Sequence, residues 1–342
     1  MAKKATTSRA GRFMKLAGMT ASVAGRYASE RVQSVFSSEE KVQERKQASY
    51  GKMADDIVET LGELKGAVMK IGQIASQTQD FLPKEFSEAL QKLQKEAPPV
   101  DFSVIRQQIV DELGDEPEHL FKSFDTEPYA AASIGQVHRA VTKSGIPVVV
   151  KVQYPGVDRS CDSDLKQLRL ALKLGGLIKM PKASVDALFE EIKARLHEEL
   201  DYEQEARNLR AFREFHAQHE KVIVPKVIAR LSSPRVLTLE YIEGDHLQEL
   251  DGNTAYTQDV RNQLGHRLFT VLAEELFIFQ RIHGDPHPGN FAFRPDGTVI
   301  IYDFGCVKTL KPDIVRAYHD AIVASIREDY AAVDDAMLSL GA

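Results

Sequence analysis

Hydrophobic positions along this chain change period several times, and each change marks an element. Between Met53 and Gln77 the apolar residues Leu61, Leu64, Val68, Ile71 and Ala75 recur at three and four, as in a helix with one buried face. Its opposite stripe carries Lys70, Gln73 and Gln77, while Gly66 and Gly72 each cost about 1 kcal/mol inside a helix and point to close approach by another backbone. A helix from Lys84 to Lys95 stops at Pro98 and Pro99, and one from Ser103 to Leu113 stops at Gly114. The period then drops to two, so Gln136 to Val141 and Ile146 to Tyr154 read as strands joined by the turn Thr142 to Gly145. Helical period returns over 162–179 and over 184–216, the second a single long and heavily charged helix. Strands are predicted at Val222 to Leu231 and Arg235 to Tyr241, then a helix from Thr257 to Arg281 with Leu264, Leu268, Val271, Leu272, Glu275 and Phe279 in register. A hairpin around Pro295-Asp296-Gly297 closes the pattern between Phe291 and Tyr302.

Composition narrows the class without changing this picture. The 342 residues are 43% hydrophobic and 27% charged, as in a globular chain long enough for two lobes. A net charge of −6 argues against nucleic-acid binding, which needs a basic surface. Charge is uneven, however: residues 1 to about 36 hold Lys3, Lys4, Arg9, Arg12, Lys15, Arg26 and Arg31 against Glu30. That segment reads either as a disordered tail or as a membrane-surface or targeting helix with Phe13, Met14, Leu16 and Met19 as apolar contacts. Two cysteines, Cys161 and Cys306, make no disulfide framework and fit an intracellular, reducing compartment; no run of 18 apolar residues is present.

The chemistry concentrates near the end of the chain. His283-Gly-Asp-Pro-His-Pro-Gly-Asn290 must be an irregular loop, since Pro286 and Pro288 remove helix donors. The following hairpin returns Asp303-Phe304-Gly305 beside it. A loop Asp285, an Asn290 five residues on and an Asp-Phe-Gly after a hairpin are the catalytic parts of a protein-kinase fold and suit a magnesium nucleotide. Upstream, Lys151 sits in a valine-rich strand, where its charge is either solvated at a sheet edge or placed for a phosphate. Before that strand the small residues Ala130, Ala131, Ala132, Ser133, Ile134 and Gly135, with Gln136 and Val137, form a loop whose amides can approach phosphates. Glu198, Glu199, Asp201, Glu203 and Glu205 crowd one stretch, either as a solvated face or with cations such as Lys70, Lys151 and Mg²⁺ nearby. Glu240-Tyr-Ile242 ends a strand and, in a kinase, would be the hinge that meets adenine.

In chain order these parts resemble the UbiB/aarF family of atypical kinases, the ADCK group. The resemblance covers roughly residues 50 to 320 and rests on Lys70-Ile-Gly-Gln73 (KxGQ), Ala130 to Val137 (the alanine-rich loop), Glu199-Leu-Asp201 (ExD), and HGDPHPGN with DFG. It implies an α+β, bilobal protein-kinase-like fold with an added amino-terminal helical extension, the KxGQ helix. Four segments follow: a basic segment at 1–50, the extension at 51–125, the amino-terminal lobe at 126–243 and the carboxy-terminal lobe at 244–342. Only 37 residues follow Gly305, so that last lobe is expected to be truncated or unusually small.

The resemblance also implies roles. Lys151 looks like the lysine that holds nucleotide phosphates and Glu205 like its helix partner; Glu240 and Ile242 belong to the hinge. Asn290 and Asp303 would ligate Mg²⁺ through oxygen, and Asp285 would orient or deprotonate the acceptor. Lys70 and Gln73 would lie on a helix that covers the peptide-docking place, with Lys70 pairing to Glu199 and Asp201. That cover argues against phosphorylation of proteins in trans. The implied activity is Mg-ATP-dependent phosphotransfer or ATP hydrolysis supporting ubiquinone or other prenyl-lipid synthesis, with a small molecule, a lipid or water as acceptor. Peripheral membrane contact, lipid-synthesis enzymes as partners, and a cytoplasmic, mitochondrial or plastid setting go with it. Gly284 departs from the Arg that protein kinases carry in HRD. Two rivals remain: a non-catalytic nucleotide-binding scaffold, and a zinc metallohydrolase built on His283, Asp285 and His287.

Overall fold

The computed structural model describes residues 100–132, 134–174 and 181–341, with a few positions between 14 and 25. The basic segment's remaining residues, the predicted helices at 53–77 and 84–95, and with them Lys70 and Gln73, lie outside the described residues, as does Ser133. The chain divides into two compact units: residues 1–201 with 229–238, and residues 202–228 with 239–342.

In the first unit, helix α1 (Phe102–Leu113) begins at Asp101, whose carboxylate accepts the Ser103 N–H at 2.9 Å, and ends at Gly114 in the left-handed region (φ 81°). One turn of helix, α2 (Pro117–Leu120), leads into β1 (Phe121–Phe124). The strands β2 (Ala130–Ala132), β3 (Gly135–Thr142) and β4 (Pro147–Gln153) follow. They make a sheet ordered β1-β3-β4-β6, with β2 on β3 and with β6 (Val236–Glu240) leaving this unit after Thr238. Val148, Val150 and Val152 are buried, and Lys151 takes the alternate face, as strict strand alternation requires.

Two helices, α3 (Val157–Leu174) and α4 (Lys182–Leu200), pack together. Val157, Cys161, Leu165, Leu168 and Leu172 make the buried stripe of the first, and Val185, Phe189, Ile192 and Leu196 that of the second. Arg235 locks this unit's parts: its guanidinium reaches Glu112 on α1 at 2.8 Å and Asp158 on α3 at 2.7 Å, while its carbonyl accepts the N–H of Gln153 at 3.1 Å.

The long helix expected over 184–216 is two helices. The backbone leaves helical geometry at Asp201 (φ −95°, ψ 78°), and α5 (Tyr202–Phe215) starts afresh in the second unit. A continuous helix would have stacked Glu198, Asp201 and Glu205 at repelling spacings. The strand expected over 222–231 shortens to β5 (Val222–Ile223), because Pro225 cannot donate to a ladder; Val227 makes a single bridge to Leu239.

Within the second unit β5, β9 (Val299–Ile301) and β8 (Phe291–Phe293) form a three-stranded sheet, and β7 (Arg281–His283) pairs with β10 (Val307–Thr309). The turn between β8 and β9 places Gly297 at φ 82°. Helix α6 (Gln258–Glu274) is shorter than the sequence predicts: from Glu275 to Phe279 it widens into a π turn that Gln280 ends in the left-handed region (φ 55°). Helices α7 (Pro312–Ile326) and α8 (Tyr330–Leu340) pack on each other. The core here is aromatic, with the Phe212 ring 4.5 Å from that of Phe304 and 5.0 Å from that of Phe279.

Candidate functional site

The stretch read as an alanine-rich loop is a tight hairpin. Ala130 pairs with Val137, Ala131 with Gln136 and Ala132 with Gly135, so strand geometry holds over Ala130–Ala132 and again from Gly135. Register carries one row across three strands, since Val137 also pairs with Lys151. Ala130, Val137 and Lys151 therefore share a face, and it is the less buried one. Gly135 has a steric cause: a Cβ there would lie 2.2 Å from the Val152 carbonyl oxygen. Lys151 is half-buried.

Gln153, two residues on and on the same face as Lys151, donates from Nε2 to the Leu200 carbonyl at 2.8 Å. This tethers Glu199-Leu200-Asp201, at the broken end of α4, to β4. The long acidic run thus reaches the Lys151 strand through a backbone carbonyl, which spacing alone did not reveal. Nearby, burial pushes the Tyr154 phenol up to about 12, keeping it a neutral donor.

In the second unit His283 is the organising side chain. Its Nε2 donates to the Asp303 carbonyl at 2.6 Å, and its Nδ1 accepts the Asp285 N–H at 3.1 Å, which fixes the tautomer. Asn290 donates from Nδ2 to the Asp285 carbonyl at 2.9 Å, and Tyr302 N–H donates to the Asn290 carbonyl at 2.9 Å. Asp285, Asn290 and Asp303 are consequently parts of one hydrogen-bonded framework. The Asp303 carboxylate accepts the Gly305 N–H at 2.9 Å through Oδ1. Both His283 nitrogens are engaged with backbone, so a zinc centre of His283, Asp285 and His287 has lost a ligand, and His287 Nδ1 accepts the Gly289 N–H at 3.1 Å. The metallohydrolase reading is overturned on that ground.

Glu205 lies on α5 at 2% exposure, and a Cβ added to Gly305 would be 3.8 Å from its Oε2. Helix α5 is held to the Asp-Phe-Gly stretch by Asn208, which donates to the Phe304 carbonyl at 2.9 Å and accepts from Arg281 at 2.8 Å. Asn208 escaped the sequence reading, although a polar residue on an apolar stripe beside Leu209 and Phe212 was its signal. Glu240 N–H donates to Lys226 at 2.9 Å and the Ile242 carbonyl accepts the Tyr302 hydroxyl at 2.7 Å. Gly284 is required by packing: its Cβ would meet Cys306 Sγ at 2.7 Å, and its N–H donates to the Cys306 carbonyl at 2.8 Å. An arginine has no room there.

The hairpin-and-lysine sheet, the helix bearing a buried glutamate, and the loop joined to Asp-Phe-Gly define a mixed α/β, protein-kinase-like fold. Residues 92–337 match the ABC1 atypical kinase-like domain, and the chain belongs to that family, the UbiB/aarF kinases. It is 35% identical over 283 residues to the mitochondrial atypical kinase coq-8 of Caenorhabditis elegans, covering 81% of this chain and 37% of that one. It is also 35% identical over 295 residues to the chloroplastic ACTIVITY OF BC1 COMPLEX KINASE 8 of Arabidopsis thaliana, covering 84% and 38%. The chain thus spans well under half the length of these two relatives. Among solved structures, the Rv3197–erythromycin complex from Mycobacterium tuberculosis matches with a TM-score of 0.54 and 34% identity, over 88% of this chain and 75% of that one. No helix among the described residues is long and apolar enough to cross a membrane.

Proposed function

We propose that this chain binds Mg-ATP and transfers or hydrolyses its terminal phosphoryl group at a membrane surface, in support of ubiquinone or other prenyl-lipid synthesis. The observation that carries the reading is the His283 framework, which holds Asp285, Asn290 and Asp303 in one fixed arrangement. Asn290 uses its amide nitrogen on the Asp285 carbonyl, which directs its amide oxygen the other way. That oxygen and the Asp303 carboxylate are hard donors and fit Mg²⁺. The ion, when bound, would neutralise charge on the phosphates.

The chain's own groups do the rest. Lys151, on the same face as Ala130 and Val137, supplies a cation for phosphate oxygens. Glu205 positions that lysine, and the stretch Ala130 to Val137 with Lys70, Gln73, Glu199 and Asp201 holds the nucleotide. Glu240 and Ile242 supply backbone groups to the adenine. Asp285 orients the acceptor and takes its proton, and the acceptor is a lipid, a small molecule or water. The basic amino-terminal segment supplies the contact with anionic lipid. The chain's domains are the basic segment at 1–50, the helical extension at 51–125, the amino-terminal lobe at 126–243 and the carboxy-terminal lobe at 244–342.

Phosphate release at saturating ATP and Mg²⁺ tests the reading, with neutral or anionic vesicles and with Asp303→Asn as control. The expected result is hydrolysis that anionic vesicles stimulate and the variant abolishes. Equal background release from both proteins would leave a nucleotide-binding scaffold in its place.

A further inference from the structure

We infer that His216, His219 and Glu274 form a second site, for a divalent transition metal of the Zn²⁺ class, independent of the nucleotide chemistry. One ligand atom from each of these residues lies within 4.8 Å of the other two. All three belong to the second unit, the histidines on the turn that ends α5 and Glu274 at the last position of α6.

The tautomer of His216 is the first reason. Its side chain is 1% exposed, and its Nε2 is 3.1 Å from Oε1 of Glu275, a carboxylate fully excluded from water. The other oxygen of Glu275 accepts the His283 N–H at 3.2 Å, so that carboxylate is fixed in place. Nε2 is the protonated nitrogen, and Nδ1 presents a lone pair. That Nδ1 is buried and has no hydrogen-bond partner. A carboxylate behind the distal nitrogen of an imidazole is the usual outer partner of a metal-bound histidine.

The second reason is the pairing of His219 with Glu274. Nε2 and Oε2 are 2.9 Å apart, yet Oε2 is buried without a hydrogen bond of acceptable geometry. The two atoms approach each other without an N–H aimed along the line between them. Donors that converge on one ion do this: with bonds of about 2.0–2.2 Å, tetrahedral ligands sit roughly 3.3 Å apart. Two simple ion pairs explain the cluster less well, because a protonated His216 would bury an Nδ1–H with nothing to accept it. The side chains of His219 and Glu274 are 36% and 25% exposed, which leaves an entry path and a fourth position for water.

The other convergent group among the described residues, Cys161 with Asp162 and His197, lacks these features. Asp162 is already held by Lys193 at 2.9 Å and by His197 at 2.9 Å, and burial pushes the Cys161 thiol up to about 11, away from the thiolate a metal needs. At the His216 site the π turn begins directly after Glu274, and Glu275 bridges to the strand that starts the catalytic loop. A bound ion would therefore tie the end of the helix that carries Glu205 to the segment that carries His283.

The full chain, tag-free and stripped with chelator, is titrated with Zn²⁺ against a chromophoric competitor, and separately with Co²⁺ read by visible absorption. One equivalent of Zn²⁺ and tetrahedral-type Co²⁺ bands are expected. His219→Ala and Glu274→Gln, at a partly exposed rim, should each weaken Zn²⁺ at least tenfold with the circular dichroism unchanged, Glu275→Gln should weaken it about 10–100-fold, and His197→Ala should change nothing. Wild type without stoichiometric Zn²⁺ and Co²⁺ bands overturns the site, whatever the variants do. So does a titration that His219→Ala and Glu274→Gln leave unchanged, or one that His197→Ala abolishes.

Discussion

Replacing Gly284 with alanine asks why this loop carries glycine where protein kinases carry arginine. The new methyl group would stand 2.7 Å from Cys306 Sγ and 3.2 Å from the Cys306 carbonyl oxygen. The sulfur can rotate away at a rotamer cost of about 0.5–1.5 kcal/mol, but Cys306 is only 7% exposed and its new position meets packed neighbours. The carbonyl cannot leave without stretching its 2.8 Å bond from the Gly284 N–H, which extends the β7–β10 ladder. Overpacking of this kind costs about 1–3 kcal/mol. Urea unfolding of four proteins, wild type, Gly284→Ala, Cys306→Ala and the double variant, isolates the cause. If the sulfur is the obstacle, Gly284→Ala costs at least about 1 kcal/mol less in the Cys306→Ala background. A cost that is the same in both backgrounds would move the obstacle from the sulfur to the Cys306 carbonyl, and no cost in either would refute the packing explanation.

Three further outcomes follow from the same geometry. Gly135→Ala sets a methyl against the Val152 backbone at 2.2 Å and should lower the unfolding free energy by about 3 kcal/mol or more; a wild-type urea midpoint would contradict it. His283→Phe removes both of the bonds that hold Asp285 and Asp303 together, and ATP turnover should fall by about 10²-fold with a smaller change in nucleotide affinity, measured by phosphate release and titration. His138 is fully buried, and burial holds its pKa below the ordinary 6.5 despite a bond to the Asp125 carbonyl. The folded state then binds the proton less well than the unfolded one, so stability is full above about pH 6.5 and declines as pH falls below it. His138→Gln should flatten that decline between pH 7.5 and 5.5, and an unchanged slope would count against it.

How much of this was legible in the sequence follows the range of the interactions involved. Gly114 announced the end of α1, and Gly145 and Gly297 the hairpin turns, because caps and turns act over a few residues. The alternation around Lys151 placed its face correctly for the same reason. Local period could not show that helix 184–216 breaks at Asp201, since each half is helical by pattern and the break answers to charges that only a continuous helix would stack. Nor could it show the hairpin of Ala130 to Ala132, whose small residues gain strand geometry only from pairing with β3. The π turn at Glu275, the Gly284 contact with Cys306 and the His216 cluster depend on partners 22 to 59 residues away. Such pairs leave individual marks, a glycine for an arginine or a His-x-x-His, but not their pairing.

Direct nucleotide binding tests the central claim most simply. Calorimetric titration of the full chain with ATP, with and without Mg²⁺, should show one site whose affinity depends on the ion, weakened at least tenfold in Asp303→Asn and in Lys151→Ala while ion-free binding stays weak in all three proteins. Absence of ATP binding to the wild type, or binding that neither Mg²⁺ nor these substitutions alter, would contradict the account.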